Sequence, residues 1–293
     1  MGGRYWAGIE AGGTKWLLAV GGRSGPPLCT CRIPTEDPER TVRRVAETLA
    51  AYPLVAVGLG SFGPVGVVPE CPDYGVLRAT PKPGWQGFPL RARLEEVLGA
   101  PVRVVTDVAA AAWGELHLGS GVGLRSLAYV TVGTGIGVAY VERGRFVGGG
   151  GHPEFGHIFL PRADGDDFPG ACPYHGSCWE GLASGFAVER RTGRRGEELA
   201  EDDPIWLTVA HYVAHGLLAV TYAYAPERIV LGGGVGSRPV VLRLVRAKFS
   251  ALLAGYTSFD APMHAETYLV PPALGDRSGV LGALALAREE FPT

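Results

Sequence analysis

This 293-residue chain lacks an excess of charge of either sign: 27 basic residues face 29 acidic ones, for a formal net charge of −2. With an isoelectric point near 6.4 it offers no basic face for nucleic acid or an anionic membrane. The one arginine-rich stretch, residues 189–195, is offset by Glu197, Glu198, Glu201, Asp202 and Asp203, and reads as a solvated linker or helix end. Thiols are scarce and odd in number: Cys29, Cys31, Cys71, Cys172 and Cys178. An odd count in a chain expected in the cytoplasm excludes a disulfide framework. Cys29 and Cys31 are too close to bridge easily and read as a strand pair pointing the same way. The opening MGGRYWAGIEAGG lacks a charged segment followed by a roughly 7–15-residue apolar core, so no signal peptide is expected. The longest apolar run, 205–225, contains His211, His215 and threonines, which suits a buried helix better than a membrane span. Long linkers and low-complexity segments are absent, so the parts of the chain should pack together.

What is present reads as an α/β protein long enough for two domains. YWAGIE, AGGT and KWLLAV form strand, turn and strand, and Gly12 and Gly13 let backbone amides turn toward an anion. Asp37-Pro38-Glu39 caps a helix to about Tyr52. LVAVGLG (54–60) is a buried, parallel-type strand. Residues 74–87, YGVLRATPKPGWQG, are too rich in proline and glycine for regular structure and suggest a shaped surface segment. A helix over 89–98 ends at Gly99. The strand 102–106 stops at Asp107, where α/β proteins place reactive groups, although capping the next helix is the commoner use of such an aspartate. LAYVTVGTGIGVAYV (127–141) repeats the opening pattern, so two similarly folded halves facing one nucleotide are expected. Downstream, 228–231 is a strand, Gly232–Val235 a flat glycine-rich turn, and 238–253 and 278–290 are closing helices.

Residues 150–180 concentrate the reactive side chains. Cys172, His175 and Cys178 form C-x2-H-x2-C, and His157, fifteen residues upstream, can complete a tetrahedron around zinc. Four protein ligands leave no open position, so the metal would be structural and would fix its neighbours Glu154 and Glu180, two carboxylates able to grip adjacent hydroxyls of a polyol. His211 and His215 share the i, i+4 spacing but lack a third ligand.

In this order the motifs resemble the ROK family of bacterial sugar kinases and repressors: G-I-E-A-G-G-T-K at 8–15, T-D-V-A-A-A-A-W-G-E at 106–115, V-G-T-G-I-G at 132–137, H-P-E-F-G-H with C-P-Y-H-G-S-C-W-E across 152–180, and L-G-G-G-V at 231–235. S-F-G-P at 61–64, the 74–85 segment and the C-x2-H-x2-C spacing look like its fructokinase branch. Only seven residues precede the first hairpin motif, which points away from the helix-turn-helix repressors. The resemblance implies two actin/hexokinase-like (ribonuclease H-like) lobes with a cleft between them. The expected bounds are 1–112 and 113–277, with a zinc-binding loop at 150–180 and a C-terminal helix, 278–293, packed back on the first lobe. It implies transfer of the ATP γ-phosphoryl group to the 6-hydroxyl of D-fructose, with Asp107 as general base and Mg²⁺ as second cofactor. Glu10, where most relatives have aspartate, would help place that ion. Gly12, Gly13, Thr14 and Lys15, and Gly133, Thr134, Gly135 and Gly137, would hold ATP phosphates, with Glu10 and Thr131 also on the cofactor side and Gly233 and Gly234 lining the adenosine. Glu154, His157 and Glu180 would hold the sugar, and His157, Cys172, His175 and Cys178 the zinc. The rivals are a glucose, mannose or N-acetylhexosamine kinase and, from another class, a non-catalytic sugar sensor. A cytoplasmic homodimer binding sugar and ATP, with neither nucleic acid nor membrane as partner, completes the expectation.

Overall fold

A computed structural model describes residues 3–80 and 82–292. Pro81 of the proline-rich segment, the first two residues and Thr293 of the expected terminal helix lie outside the described residues. The chain forms two compact units. The first comprises residues 1–119, 148–152 and 277–293, and the second 120–147 and 153–276.

In the first unit, β1 (Tyr5–Ala11), β2 (Lys15–Gly21) and β3 (Cys29–Pro34) form an antiparallel meander, and β4 (Leu54–Ser61) and β5 (Val102–Thr106) add in parallel on the other side of β1. Helices α1 (Pro38–Leu49), α2 (Leu90–Leu98) and α3 (Asp107–Leu118) follow β3, β4 and β5. Alternation sets the two faces of this sheet. Ala7, Ile9, Ala11, Val57, Leu59, Val102 and Val104 join Val42, Val45 and Leu49 of α1 and Leu90 and Leu94 of α2 in one core. The opposite face is lined by Gly8, Gly58 and Gly60. A Cβ at Gly58 would lie 1.9 Å from the Ala283 carbonyl oxygen, so glycine is what lets the C-terminal helix rest on the strand backbone. That helix also crosses α3 closely, with Gly282 against the Ala110 carbonyl and Gly114 against that of Ser278. Asp37 accepts the Arg40 amide at 3.0 Å, with Pro38 at the first helical position, and Gly99 ends α2 at φ +60°.

The second unit repeats this order. Strands β6 (Ser126–Val132), β7 (Ile136–Glu142) and β8 (Arg145–Phe146) form the meander, and β9 (Ile229–Gly232) and β10 (Leu269–Val270) add in parallel beyond β6. Between them come α4 (Trp179–Ala183), α5 (Gly185–Thr192), α6 (Ile205–Tyr224), α7 (Gly233–Gly236), α8 (Pro239–Leu253) and α9 (Ala265–Tyr268). The terminal helix α10 (Ser278–Glu290) returns to the first unit. Ala128, Val130 and Val132 of β6 pack against Trp179, Leu182, Trp206, Val213, Leu217 and Phe249. Among the described residues, α6 is the one helix long and apolar enough to cross a membrane, and more than half of its apolar stretch is buried in this core. In the expected flat turn at Gly232–Val235, Gly232 instead ends β9 and the other three residues open a single helical turn, α7.

The 74–87 segment is irregular, as its composition predicts, but it is bolted down. Trp85 is 1% exposed, packs against Trp16, Phe62 and Phe88 at 5.5–5.8 Å between ring centres, and donates its indole N–H to the Glu36 carbonyl at 3.1 Å. A buried tryptophan of this kind is worth about 3–5 kcal/mol to the fold.

Candidate active site

In the first unit the parallel strands end level with one another: Ala11 is opposite Ser61, and Ser61 opposite Thr106. The Gly12–Lys15 turn and Asp107 therefore share the carboxyl edge of the sheet, two strand spacings or about 10 Å apart. The Gly12 amide donates to the Lys15 carbonyl at 3.0 Å, and the Thr35 hydroxyl donates to the Gly12 carbonyl at 2.8 Å, which fixes the turn. Neither Gly12 nor Gly13 has a positive φ. Close approach is what demands them, since a Cβ on Gly12 would sit 2.7 Å from the Lys15 oxygen and one on Gly13 3.0 Å from Lys82 Cε. Glu10, at the end of β1, has its carboxylate against the first turn of α10, where a Cβ on Gly279 would fall 2.5 Å from it.

Asp107 is not the cap of α3. Thr106 does that, accepting the Ala109 amide at 3.2 Å, and leaves Asp107 half-buried at the first helical position with Oδ1 accepting the Val108 amide at 2.8 Å. The Thr106 hydroxyl also lies 3.3 Å from His152 Nδ1. The hydroxyl, one donor with two acceptor lone pairs, can therefore serve the Ala109 amide and the imidazole together. Burial holds the His152 pKa down at about 4, so this ring is neutral at physiological pH.

In the second unit β6 and β9 run side by side, with Thr131 opposite both Gly232 and Gly137. The β6–β7 turn and the start of α7 thus meet, with Gly133 4.0 Å from Gly233 Cα by the same Cβ construction. Gly233 has φ +84°, and a side chain there would collide with the Val132 carbonyl at 2.5 Å. Thr134 stands at the tip of the turn, its carbonyl accepting the Phe186 amide at 3.4 Å. Glu180 Oε2 accepts the Ile136 amide at 2.9 Å and approaches Gly135 so closely that a Cβ would lie 2.5 Å away. Glu180 therefore clamps this hairpin. Protein crowding, and then repulsion from Glu180, raise the pKa of Glu154 against the opposing pull of His157, although its side chain keeps an open face to solvent. The three predicted sugar-holding residues are in this way electrostatic neighbours.

His157, Cys172, His175 and Cys178 offer four donor atoms all within 4.8 Å of one another. His157 Nδ1 is 3.6 Å from Cys172 Sγ and 3.5 Å from Cys178 Sγ, and His175 Nδ1 is 3.8 Å from Cys172 Sγ. Tetrahedral bonds of zinc length would put sulfur and nitrogen donors ~3.6 Å apart, so these three separations suit that ion. Burial pushes the Cys178 thiol up to about 11, which a bound cation would have to offset by displacing the proton. The loop is held a second time by Asp166, paired to both terminal nitrogens of Arg191 at 2.8 Å and accepting from Tyr212. These groups hold the Asp166 carboxyl well below the usual range, with the Arg191 contact first among them. The His211 and His215 rings lie 4.5 Å apart at a tilt of 52°, but the four-donor set is the one metal-type cluster among the described residues.

Lys82, Thr106 and His152 were not singled out by sequence. The T-P-K-P-G-W string, with one cation among turn formers ahead of a tryptophan, was the available signal for Lys82, and H-P-E for His152.

An α/β chain with duplicated hairpin sheets, a carboxylate at a strand end and a Cys/His loop defines a class of proteins. The chain belongs to the ROK family, whose description it matches over residues 6–290. It is 41% identical to a fructokinase of Pediococcus pentosaceus over 280 residues, 96% of either chain, and 38% identical to a fructokinase of Zymomonas mobilis over 288 residues, 95% of either chain. Among solved structures it is similar to a ROK hexokinase from Thermus thermophilus, with TM-score 0.78, 32% identity and 98% of each chain covered. A ROK family glucokinase from Streptomyces griseus, in complex with glucose and AMPPNP, has TM-score 0.76 and 27% identity over 97% of this chain and 99% of its own.

Proposed function

We propose that this protein is an ATP-dependent fructokinase that phosphorylates the 6-hydroxyl of D-fructose. The observation that carries the chemistry is the placement of Asp107, freed from capping by Thr106 and level with the glycine turn of β1–β2. Asp107 accepts the proton of the attacking sugar hydroxyl. The turn at Gly12, Gly13, Thr14 and Lys15, and that at Thr131, Gly133, Thr134, Gly135 and Gly137, hold phosphates, and Gly233 and Gly234 take the adenosine. Phosphoryl transfer asks mainly for positioning and charge neutralisation, which fixed backbone turns supply. Glu10, immobilised against α10, would hold Mg²⁺ through water, and that ion supplies charge neutralisation on the phosphates when bound. Glu154, His157 and Glu180 hold the sugar. His157, Cys172, His175 and Cys178 would hold a structural zinc ion; with Nδ1 turned to the sulfurs, His157 keeps Nε2–H for a sugar hydroxyl. The reading keeps the cytoplasmic, homodimeric setting expected of the family.

The choice of fructose rests on the fructokinase relatives at 37–41% identity over nearly the full chain. An ADP-release assay over fructose, glucose, mannose and N-acetylhexosamines tests it. Fructose should give the highest kcat/KM. A buffer-level rate with fructose beside turnover of glucose or mannose would reassign the sugar, and no turnover of any hexose would favour a sensor.

A further inference from the structure

Two lysines meet at one turn in a chain that has only three. Lys15, Lys82 and Lys248 are outnumbered eightfold by arginine, and arginines make the ion pairs of the described residues. Lys15 belongs to the β1–β2 turn. Lys82, 67 positions later, lies over it: from the point where a Gly13 Cβ would be, Lys82 Cε is 3.0 Å away and Nζ 3.9 Å.

Its placement is built rather than incidental. The Lys82 carbonyl accepts the Trp85 amide at 3.2 Å, and its amide donates to the Thr80 hydroxyl at 3.4 Å. Trp85 then buries itself in the aromatic cluster with Trp16, the residue that follows Lys15. The backbone bearing Lys82 and the strand leaving the turn are thus pinned to each other. The ammonium group itself has no carboxylate partner among the described residues, where the ion pairs are made by arginines. Lysine also differs from arginine in kind. It is a compact point charge without a fixed fork, suited to a phosphoryl group whose oxygens move during transfer.

We propose that Lys82 contacts the phosphoryl group in transit, its ammonium group neutralising the γ-phosphate of ATP over the Gly12–Lys15 turn. The proposal rests on the kinase reading above. In the step it serves, the sugar O–H proton passes to the Asp107 carboxylate, the sugar O–P bond forms, the bond from phosphorus to the bridging oxygen breaks, and its electron pair leaves on ADP. Lys82 stays protonated and forms no covalent bond.

Lys82→Met and Lys82→Arg test this by steady-state kinetics with fructose, and by calorimetric titration with ADP and with a non-hydrolysable ATP analogue. Lys82→Met should lower kcat by about 10²–10³-fold, the range found for a lost charge-stabilising donor. It should also weaken the analogue at least tenfold while leaving ADP affinity and the fructose KM within about threefold. Lys82→Arg should recover part of both losses. A kcat within threefold of the parent overturns the proposal, as does an equal loss for ADP and analogue, which would mark a structural role. Those results leave the kinase reading intact when the parent protein phosphorylates fructose. A parent protein that binds no ATP analogue and phosphorylates no hexose overturns both.

Discussion

At the turn between β1 and β2, the side chain that crowds the backbone is a lysine, 3.0 Å from the place of a Gly13 Cβ; at the turn between β6 and β7 it is a carboxylate, Glu180, 2.5 Å from the place of a Gly135 Cβ. The sheets carrying these turns have the same strand order and the same parallel and antiparallel pairings. Backbone topology was therefore kept while the electrostatics of the turns diverged. The first has a cation beside it, a charge that would suit an anion. The second has its Ile136 amide already satisfied by Glu180 and is shaped from within. The suppliers differ as well. Lys82 comes from an irregular segment anchored by Trp85, and Glu180 from α4, two residues after Cys178 of the Cys/His loop. The first unit carries the groups that would act on the reacting atoms, and the second those that would hold the sugar.

If that division is right, substitutions in the two units should fail differently. Asp107→Asn should cause the largest loss, lowering kcat by about 10³-fold or more, because a misplaced or absent general base costs on the order of 10²–10⁴ and the amide cannot accept the proton. The fructose KM should stay within a few-fold and metal content should not change. Near-native turnover would put the base elsewhere. Cys178→Ser should do the reverse. Elemental analysis should show zinc present in the parent protein and lost in the variant, and the fructose KM should rise by about 10–100-fold, since on the proposed reading Glu180 and His157 would lose the ion that orients them, with a smaller effect on kcat. Full zinc content in the variant would refute the ligand set, and an unchanged fructose KM would separate metal from sugar.

Much of this division could be read before any coordinates, and its limits are physical. The two hairpins, the Asp37 cap, the core helix α6 and the Cys/His loop depend on contacts within one element or one loop, where spacing and alternation speak directly. Asp107 was legible as base or cap, and only the Thr106 hydroxyl at 3.2 Å from the Ala109 amide resolves its structural part. Lys82 over Gly13 and Glu180 under Ile136 join residues far apart in sequence through packing of Trp85 and α4, for which no local pattern exists. The two-residue strands β8 and β10 are too short to show a period. The helical turn at Gly233–Gly236 defeated a propensity reading, because glycine there answers to close approach rather than to helix preference.

The smallest expected effect tests the first unit alone. His152 is held neutral with its pKa depressed to about 4, whereas in an unfolded chain it should titrate near its usual value of about 6.5. A folded-state pKa below the unfolded one means that the unfolded chain binds the extra proton. The stabilisation is therefore complete above about pH 6.5 and is lost as pH falls toward 4, by at most ~3 kcal/mol. His152→Gln removes the titrating group while keeping a polar side chain near Thr106. Melting temperatures measured from pH 7.5 to 5 should fall more steeply for the parent protein than for the variant. The two curves should converge toward the acid end, where the parent has lost its advantage. Parallel curves would mean that His152 titrates as if in water and that burial beside Thr106 does not hold it neutral. That outcome would leave the division between the units standing but would detach the 148–152 segment from the edge of the sheet that bears Asp107.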